Sequence, residues 1–343
     1  MAAPGPRVGS PEWSRRLAAW MSRQGCAGST PTGLRRIDGG TQNLLIRFLF
    51  GESEYVLRQP PRPVAGGPGM IGREARVLGA LARTEVPHAR LVGAETESRV
   101  LGGPFLVTAF VAGFNAVAEL PGPVRDSPAA QRGIALAAGE AVAGLAMVDP
   151  AAVGLSDLGR SADWAQRQVA RWTRTLDGYR GIGGYRADSL AAASAVHARL
   201  TRRYPREQRF GLLHGDLHFG NMLVAADGRR IAAIVDWELA TLGDVRLDLA
   251  HLVVSWPGTL TSWPPAAGWT CTDSTDAVDR YAELAPQGLE DFPWFRCLAA
   301  YRMAVLLEGS LARSLEGTGD PRTGRRLHAI AEELLDRALD AAP

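Results

Sequence analysis

The spacing of hydrophobic and polar positions changes once along the chain. Residues 34–58 contain the short apolar runs of β-strands, and a helical pattern occupies 72–83. Two more strand-like runs cover 90–96 and 105–111. After Gly113, apolar residues recur mainly at helical spacing. The pattern predicts an α+β protein in which a small β-rich N-lobe precedes a larger, mainly helical C-lobe.

Helix signals define the remaining parts of the chain. Ser10, Pro11 and Glu12 are typical of a helix start, and this helix is expected to reach about residue 24. One of its faces carries Trp13, Leu17, Trp20 and Met21, which we expect to pack inside the protein. Further helices are predicted at 129–147, 162–176, 189–204, 276–284, 294–315 and 323–341. The predicted regions are an N-terminal extension (1–33), an N-lobe (34–111) and a C-lobe (112–343).

A polar run lies among three short apolar strands predicted at 210–213, 221–224 and 231–235. Residues 213–221 read Leu-His-Gly-Asp-Leu-His-Phe-Gly-Asn, and Asp236 follows the third strand. Phosphoryl transfer from a nucleotide needs one Asp to orient the hydroxyl and an Asn and a second Asp to hold magnesium. Asp216, Asn221 and Asp236 have this order and spacing.

We therefore predict Asp216 as the catalytic base and Asn221 and Asp236 as Mg²⁺ ligands. Mg²⁺ usually takes one or two carboxylates plus substrate phosphates, which suits so small a set. The alternative, that these residues only cap turns, explains a single Asp-Gly pair better than the whole set. His214 and His218 lie four apart, but no Cys or Glu stands at the spacing of a zinc site.

These motifs resemble a known family. His-Gly-Asp-Leu-His-x-Gly-Asn followed by Asp-Trp-Glu is similar to the aminoglycoside phosphotransferase and choline kinase family, which is related to the protein kinases. The longer run 236–244, Asp-Trp-Glu-Leu-Ala-Thr-Leu-Gly-Asp, resembles a narrower branch, the kinase-like domain associated with acyl-CoA dehydrogenases. The segments 39–43, 55–61, 73–78 and 148–160 resemble that branch too, so the likeness covers roughly 34–335.

The resemblance implies a bilobal protein-kinase-like fold that binds ATP or another nucleoside triphosphate, with Mg²⁺, between its lobes. In this fold the N-lobe binds the nucleotide. Gly39, Gly40 and Thr41 lie between two strands, where backbone N–H groups can approach a phosphate closely. The Gly pair taken alone is more often a simple turn. The adenine is expected near Thr108 and Phe110.

Arg58 ends a strand where the family usually has a phosphate-binding Lys, and Glu74 on the next helix is placed to pair with it. Arg is a planar, forked donor, so this replacement changes the geometry. The alternative is that Arg58 is a solvated strand end. The chain contains no Lys, and its 38 basic residues are all Arg. A second departure from the family is Ala146, where many relatives have His.

Composition excludes some partners. Hydrophobic residues make up 46% of the 343 residues, charged residues 22%, and the net charge is +2. These values are ordinary for a globular protein and predict no nucleic-acid partner and no membrane partner. Cys26, Cys271 and Cys297 are widely spaced, which favours a reducing, cytoplasmic compartment. The sequence leaves the oligomeric state open.

The sequence indicates the phosphate acceptor less directly than the catalytic residues. Arg residues exceed acidic residues in the helical segment 160–186, with Trp and Tyr between them. Such a segment suits an anionic acceptor better than a polycationic aminoglycoside. The leading hypothesis is a small-molecule O-phosphotransferase that moves the γ-phosphate to a hydroxyl of a metabolite, with a hydroxyacyl compound as the candidate. The alternatives are an aminoglycoside or macrolide phosphotransferase and a nucleotide-binding pseudokinase that acts as an interaction module.

Overall fold

A computed structural model describes residues 6–37, 43–60, 67–97, 99–186, 188–285 and 288–340. These residues form two compact units. The first unit extends to Ala112 and also includes Ala232–Ala240, and the second contains Gly113–Ile231 and the chain from Thr241 onward. The helices described in this structure include none that is long and apolar enough to cross a membrane.

The first unit contains a five-stranded antiparallel sheet. Its strands are β1 (Thr32–Arg36), β2 (Leu44–Phe50), β3 (Ser53–Gln59), β4 (Leu91–Glu95) and β5 (Phe105–Ala109), in the order β1-β2-β3-β5-β4. Strand β3 is central, and Arg58 pairs with Leu45 on one side and Leu106 on the other. Because the backbone of Arg58 is held on both sides, its side chain starts from a fixed position.

Helix α1 (Pro11–Arg23) packs on this sheet. The Ser10 hydroxyl accepts a hydrogen bond from the Trp13 N–H at 3.2 Å, which caps the first turn. Trp13, Leu17, Trp20 and Met21 are all buried, so the predicted packing face is confirmed. The Trp20 ring meets Phe105 of β5 edge to face, with ring centroids 5.0 Å apart. This contact fixes the helix against the strand.

Helix α2 (Gly67–Leu81) carries Glu74 and packs against β4 and the short 3-10 helix Trp237–Leu239. The sequence placed a loop over 60–69 and this helix at 72–83, so its start was predicted five residues too late. Local propensity is a weak prior that tertiary packing overrides. Here the packing partner of α2, the 3-10 helix Trp237–Leu239, lies more than 150 residues further along the chain.

The second unit is mainly helical. Its helices are α3 (Gly122–Arg125), α4 (Pro128–Ala146), α5 (Trp164–Tyr179), α6 (Ala193–Arg202), α7 (Arg246–Val254), α8 (Thr275–Leu284), α9 (Phe292–Leu315) and α10 (Pro321–Asp340). Helix α9 packs against α10, α7, α5 and α6, so it lies at the centre of the helical core. The helix predicted at 189–204 is shorter at both ends, and the predicted helices included neither α3 nor α7.

Short strands hold the motif residues. Strands β6 (Phe210–Leu213), β7 (Met222–Val224), β8 (Ile231–Ile234) and β9 (Thr241–Asp244) occur along this stretch, and β6 pairs with β9 in antiparallel register. The sequence predicted β6, β7 and β8 but missed β9. It also began β7 at Asn221, which instead ends a 3-10 helix over Phe219–Asn221. The loop from Leu213 to Met222 therefore connects two anchored strands.

Candidate active site

The loop that follows β6 carries Asp216 and Asn221 in the second unit. The Asn221 Nδ2 donates to the backbone carbonyl of Asp216 at 2.9 Å and lies 3.5 Å from Asp216 Oδ2. The amide nitrogen is thereby directed at the loop, which leaves the amide oxygen as the acceptor. The structure therefore brings the predicted base and one predicted metal ligand together.

Two histidines of the motif support this loop. The Asp216 N–H donates to His214 Nδ1 at 3.2 Å, and the Gly220 N–H donates to His218 Nδ1 at 2.9 Å. Because His218 Nδ1 accepts, its neutral ring carries the proton on Nε2, which faces Asp216 Oδ2 at 3.7 Å. His214 therefore supports the loop through its contact with the Asp216 backbone.

Asp248 of α7 braces the start of the same loop. Its carboxylate accepts the His214 N–H at 2.6 Å and the Gly215 N–H at 3.0 Å. Burial raises the pKa of Asp248, and these N–H groups and the nearby charge of Arg302 oppose that rise. These two hydrogen bonds hold the backbone at the start of the loop.

Asp248→Asn is expected to destabilise the protein by about 1–3 kcal/mol, the cost of leaving a buried N–H group unpaired. An Asn amide presents one acceptor and one donor, so it cannot accept from both N–H groups. Urea denaturation can measure the change, with Asp336→Asn on the exposed side of α10 as the matched control. Equal unfolding free energies for the two variants would contradict the bracing role.

Arg302 of α9 contacts the loop at Gly215. The residue is 6% exposed, and its Nη2 donates to the Gly215 carbonyl. Arg302 lies 87 residues from Gly215 along the chain, and the sequence reasoning missed it. No local pattern marks it, because it occupies an otherwise ordinary helical run.

The charge of Asp216 follows from these neighbours. Burial alone would raise its pKa, but favourable interactions with the His218 and His251 rings and with the nearby Arg302 cation more than offset this and hold the pKa below its usual range. Its side chain remains 32% exposed. At neutral pH, Asp216 is therefore an accessible carboxylate that can accept a hydrogen bond from a hydroxyl.

The other predicted residues form a charge cluster within the first unit. Arg58 donates through Nη1 to Glu74 and through Nη2 to Asp236 at 2.8 Å and to Glu238. Arg58 and Glu74 are buried, at 7% and 3% exposure. The predicted pairing of Arg58 with Glu74 is present, and Arg58 is not a solvated strand end. The contacts with Asp236 and Glu238 were not predicted.

The geometry of this cluster depends on the shape of arginine. A guanidinium has donors that point in different directions, so one side chain can reach Glu74 and Asp236 together. Asp236 itself has a left-handed backbone conformation, with φ +67°, directly after β8. A residue other than Gly in this region is uncommon and concentrates at functional sites.

Of the residues predicted to contact the glycine-loop phosphates and the adenine, the structure describes only Thr108 and Phe110. Gly39, Gly40 and Thr41 lie outside the described residues. Thr108 of β5 is buried and pairs with Val56 and Leu91. The Phe110 N–H donates to the Glu54 carbonyl at 2.9 Å, and the Arg47 guanidinium stacks over the Phe110 ring. The Phe110 N–H is thus already used within the first unit, and adenine binding by Thr108 and Phe110 remains a prediction.

The donors suit magnesium. The Asn221 amide and the Asp236 carboxylate offer oxygen atoms, which Mg²⁺ prefers, and both side chains are held by neighbours rather than left to rotate. Within the described ranges, no three His, Cys, Asp or Glu side chains are grouped as a metal site. Each of the two residues offers an oxygen donor within its own unit, Asn221 in the second and Asp236 in the first.

An apolar pocket lies beside the loop in the second unit. Its lining includes Val117, Trp256, Pro257, Leu260, Trp263 and Pro264. The Trp263 ring meets the His218 ring edge to face, with centroids 6.0 Å apart. The described side chains that line the pocket carry no charge. The pocket thus offers an aromatic and aliphatic surface next to the loop of Asp216.

The sequence model of the phosphotransferase enzyme family matches residues 33–284. The chain belongs to this phosphotransferase family. It is 26% identical to acyl-CoA dehydrogenase family member 10 of Mus musculus and to member 11 of Homo sapiens. The alignments cover 93% and 88% of this chain but only 30% and 39% of those proteins. The predicted likeness to a domain associated with acyl-CoA dehydrogenases is confirmed.

Solved structures agree on the fold of this phosphotransferase-family chain. A proposed aminoglycoside phosphotransferase of Ralstonia eutropha JMP134 is 26% identical, with a TM-score of 0.77, and the match covers 96% of this chain and 98% of that one. Macrolide 2'-phosphotransferase MphH of Brachybacterium faecium is 19% identical, with a TM-score of 0.60 and coverage of 93% and 98%. The predicted α+β, kinase-like fold class is confirmed.

Proposed function

We propose that this chain is a nucleotide-dependent small-molecule O-phosphotransferase. The observation that carries the proposal is the loop itself. Asp216 is an ionised, partly exposed carboxylate, fixed by Asn221 from one side and braced through His214 and Gly215 by Asp248. A positioned carboxylate that accepts a hydroxyl proton is what phosphoryl transfer asks of the protein.

The nucleotide is proposed to be ATP or another nucleoside triphosphate, with Mg²⁺. Membership of the phosphotransferase family supports this, as do two fold neighbours, both aminoglycoside 2'-phosphotransferase-IIIa structures described as GDP complexes. Bound Mg²⁺ would neutralise charge on the phosphates. Asn221 and Asp236 would hold it, while Asp216 would orient the hydroxyl and accept its proton.

Asp236→Asn is expected to weaken Mg-nucleotide binding by about tenfold or more, since removing even a supporting group around a metal has that effect. The Asn keeps an oxygen for Arg58 but loses the negative charge. Calorimetry with and without Mg²⁺ would measure the affinity, and Asp336→Asn serves as the control. Equal affinities for wild type and Asp236→Asn would rule out Asp236 as a ligand.

The acceptor is proposed to be a hydroxylated metabolite with an apolar part, such as a hydroxyacyl compound. The uncharged surface beside His218 supports this, because an apolar group could pack against its aromatic and aliphatic side chains while nothing in the lining would pair with a polycation. The relatives named as acyl-CoA dehydrogenase family members point in the same direction. An aminoglycoside acceptor is not supported by this lining.

An acceptor screen tests the proposed function. Nucleoside diphosphate release would be followed with ATP, Mg²⁺ and a panel of hydroxyacyl-CoAs, free hydroxy acids, aminoglycosides and macrolides. We expect acceptor-dependent release with a hydroxyacyl compound and none with Asp216→Asn. If only the antibiotics of the panel caused release, the result would favour an aminoglycoside or macrolide phosphotransferase. A chain that bound nucleotide but phosphorylated none of the panel would favour the pseudokinase.

The pocket can be tested once an acceptor is found. Trp263→Ala is expected to raise the KM for that acceptor about tenfold, which corresponds to about 1.4 kcal/mol of lost contact. The KM for the nucleotide should stay constant. Trp263→Phe keeps an apolar ring and should change the acceptor KM less. An unchanged acceptor KM in Trp263→Ala would show that this pocket does not bind the acceptor.

A further inference from the structure

Glu333 of α10 holds the turn that carries Trp263. Its carboxylate accepts the Thr261 N–H at 2.7 Å through Oε1 and the Ser262 N–H at 2.9 Å through Oε2. Burial would raise the pKa of Glu333, but the two N–H groups more than offset this and lower it, so the group is a carboxylate at neutral pH. Hydrogen bonds to an ionised acceptor are stronger than neutral ones. One side chain therefore fixes both residues that directly precede Trp263.

Arg337, one turn further along α10, contacts the same turn. Its Nη1 donates to the Thr259 carbonyl at 2.6 Å. Side chains four residues apart lie on one face of a helix, so Arg337 and Glu333 reach the turn from the same side. A carboxylate can only accept and a guanidinium can only donate, and each meets a backbone group of the opposite kind. Helix α10 thus supplies both an acceptor and a donor to residues 259–262.

The held turn forms part of the apolar pocket beside the loop of Asp216. Leu260 and Trp263 both line that pocket. The Trp263 ring meets the ring of His218, a residue of the loop, with the two centroids 6.0 Å apart. A displacement of the turn would therefore move Trp263 relative to the loop and change the shape of the pocket.

The end of this segment that follows the pocket is held by a different residue. Gln131 of α4 is fully buried. Its amide nitrogen donates to the Gly268 carbonyl at 2.9 Å, and its amide oxygen accepts the Thr270 N–H at 2.7 Å. Because these contacts do not involve Glu333, loss of the Glu333 carboxylate should loosen the turn and leave the rest of the segment in place.

We propose that Glu333 is a positioning residue that lowers the acceptor KM by holding Trp263 beside His218. The inference rests on the proposed function, because it assigns the pocket to the acceptor. Among the residues that the structure describes, the hydrogen bonds of the Glu333 carboxylate go to Thr261 and Ser262. Glu333 therefore acts on the acceptor through the position of the turn, and nucleotide binding should not depend on it.

Kinetics with the acceptor found in the screen test this role. Glu333→Ala is expected to raise the acceptor KM about threefold to tenfold, with the nucleotide KM constant. Glu333→Gln keeps one acceptor oxygen and should have a smaller effect. Asp336→Ala removes an exposed carboxylate from the same helix and is the control. An unchanged acceptor KM in Glu333→Ala, or an equal rise in the nucleotide KM, would overturn the proposal.

A double-mutant cycle shows whether Glu333 acts through Trp263. Trp263→Ala removes the ring that Glu333 positions, so adding Glu333→Ala to that variant should raise the acceptor KM little further. The opposite result is a double variant whose rise in KM equals the product of the two single rises. It would mean that Glu333 acts independently of Trp263, and the proposal would be wrong.

Amide hydrogen exchange tests the contact without turnover. Exchange at Thr261 and Ser262 should be about tenfold faster in Glu333→Ala than in the wild type, whereas Thr270, which Gln131 holds, should keep its rate. Equal rates at Thr261 and Ser262 in the two proteins would overturn the inference. Should Glu333→Ala fail to fold, Glu333→Gln allows the same comparison.

The exchange rates also separate this inference from the proposed function. Absence of acceptor-dependent turnover in the wild type would defeat the proposed function, and the exchange rates would still decide whether Glu333 holds the turn. Normal wild-type turnover, combined with unchanged exchange and an unchanged acceptor KM in Glu333→Ala, would defeat the inference alone.

Discussion

Asp216→Asn is expected to lower kcat by about 10²- to 10⁴-fold, the range that a positioned general base contributes. The variant keeps the shape of the side chain and loses the proton acceptor. The Asn221 bond to the Asp216 backbone carbonyl does not depend on the side chain, so the loop should persist. Nucleotide affinity should therefore change little.

Turnover measured by diphosphate release and affinity measured by calorimetry test both parts of this expectation. Asp336→Asn is the matched control, since its side chain is exposed on α10. Wild-type turnover by Asp216→Asn would remove Asp216 from the reaction. A large loss of nucleotide affinity would show that its carboxylate acts on the metal or the phosphates.

Arg58→Ala is expected to destabilise the first unit by about 3–5 kcal/mol, because it leaves buried charge without its partner. Glu74 is nearly fully buried, and Asp236 and Glu238 accept from the same guanidinium. Activity should fall as well, through kcat or the nucleotide KM, if Arg58 takes the role of the family's Lys. Arg58→Lys restores the charge but cannot reach Glu74 and Asp236 together. This variant should therefore retain part of the stability and part of the activity.

Denaturation curves and kinetics at a temperature where every variant is folded would separate the two effects. Arg16→Ala removes an exposed ion pair with Glu12 and should cost less than about 1 kcal/mol, which makes it the control. Glu74→Gln should give a milder form of the Arg58→Ala defect. An Arg58→Ala enzyme with wild-type kcat and nucleotide KM would limit Arg58 to a structural role.

Features set by neighbouring residues could be predicted from the sequence. Helix α1 is one, since Ser10 caps it, Pro11 suits its first turn, and Leu17 and Trp20 repeat at helical spacing. The loop with Asp216 is another, because an apolar strand, a polar run and a second strand follow each other directly. Periodicity and capping act over a few residues, so a local pattern is enough to reveal them.

Partners distant in the chain could be predicted only where the family resemblance supplied them. It paired Arg58 with Glu74, but gave no reason to expect Asp236, 178 residues away, on the same guanidinium. No pattern in the sequence indicated that Arg302 contacts the Gly215 carbonyl. His251 likewise lies beside Asp216, 35 residues earlier in the chain, only because α7 brings its ring there.

The chain by itself thus determined the helical and strand periodicities, and its motifs indicated the family and the proposed type of chemistry, because these follow from residue order and spacing. The tertiary structure decided which charged groups pair with each other and which are buried. Arg58 became the shared partner of three carboxylates, and His251 a buried neighbour of Asp216, only through packing. The physical reason is that burial and charge pairing depend on distances in space, which sequence spacing does not encode.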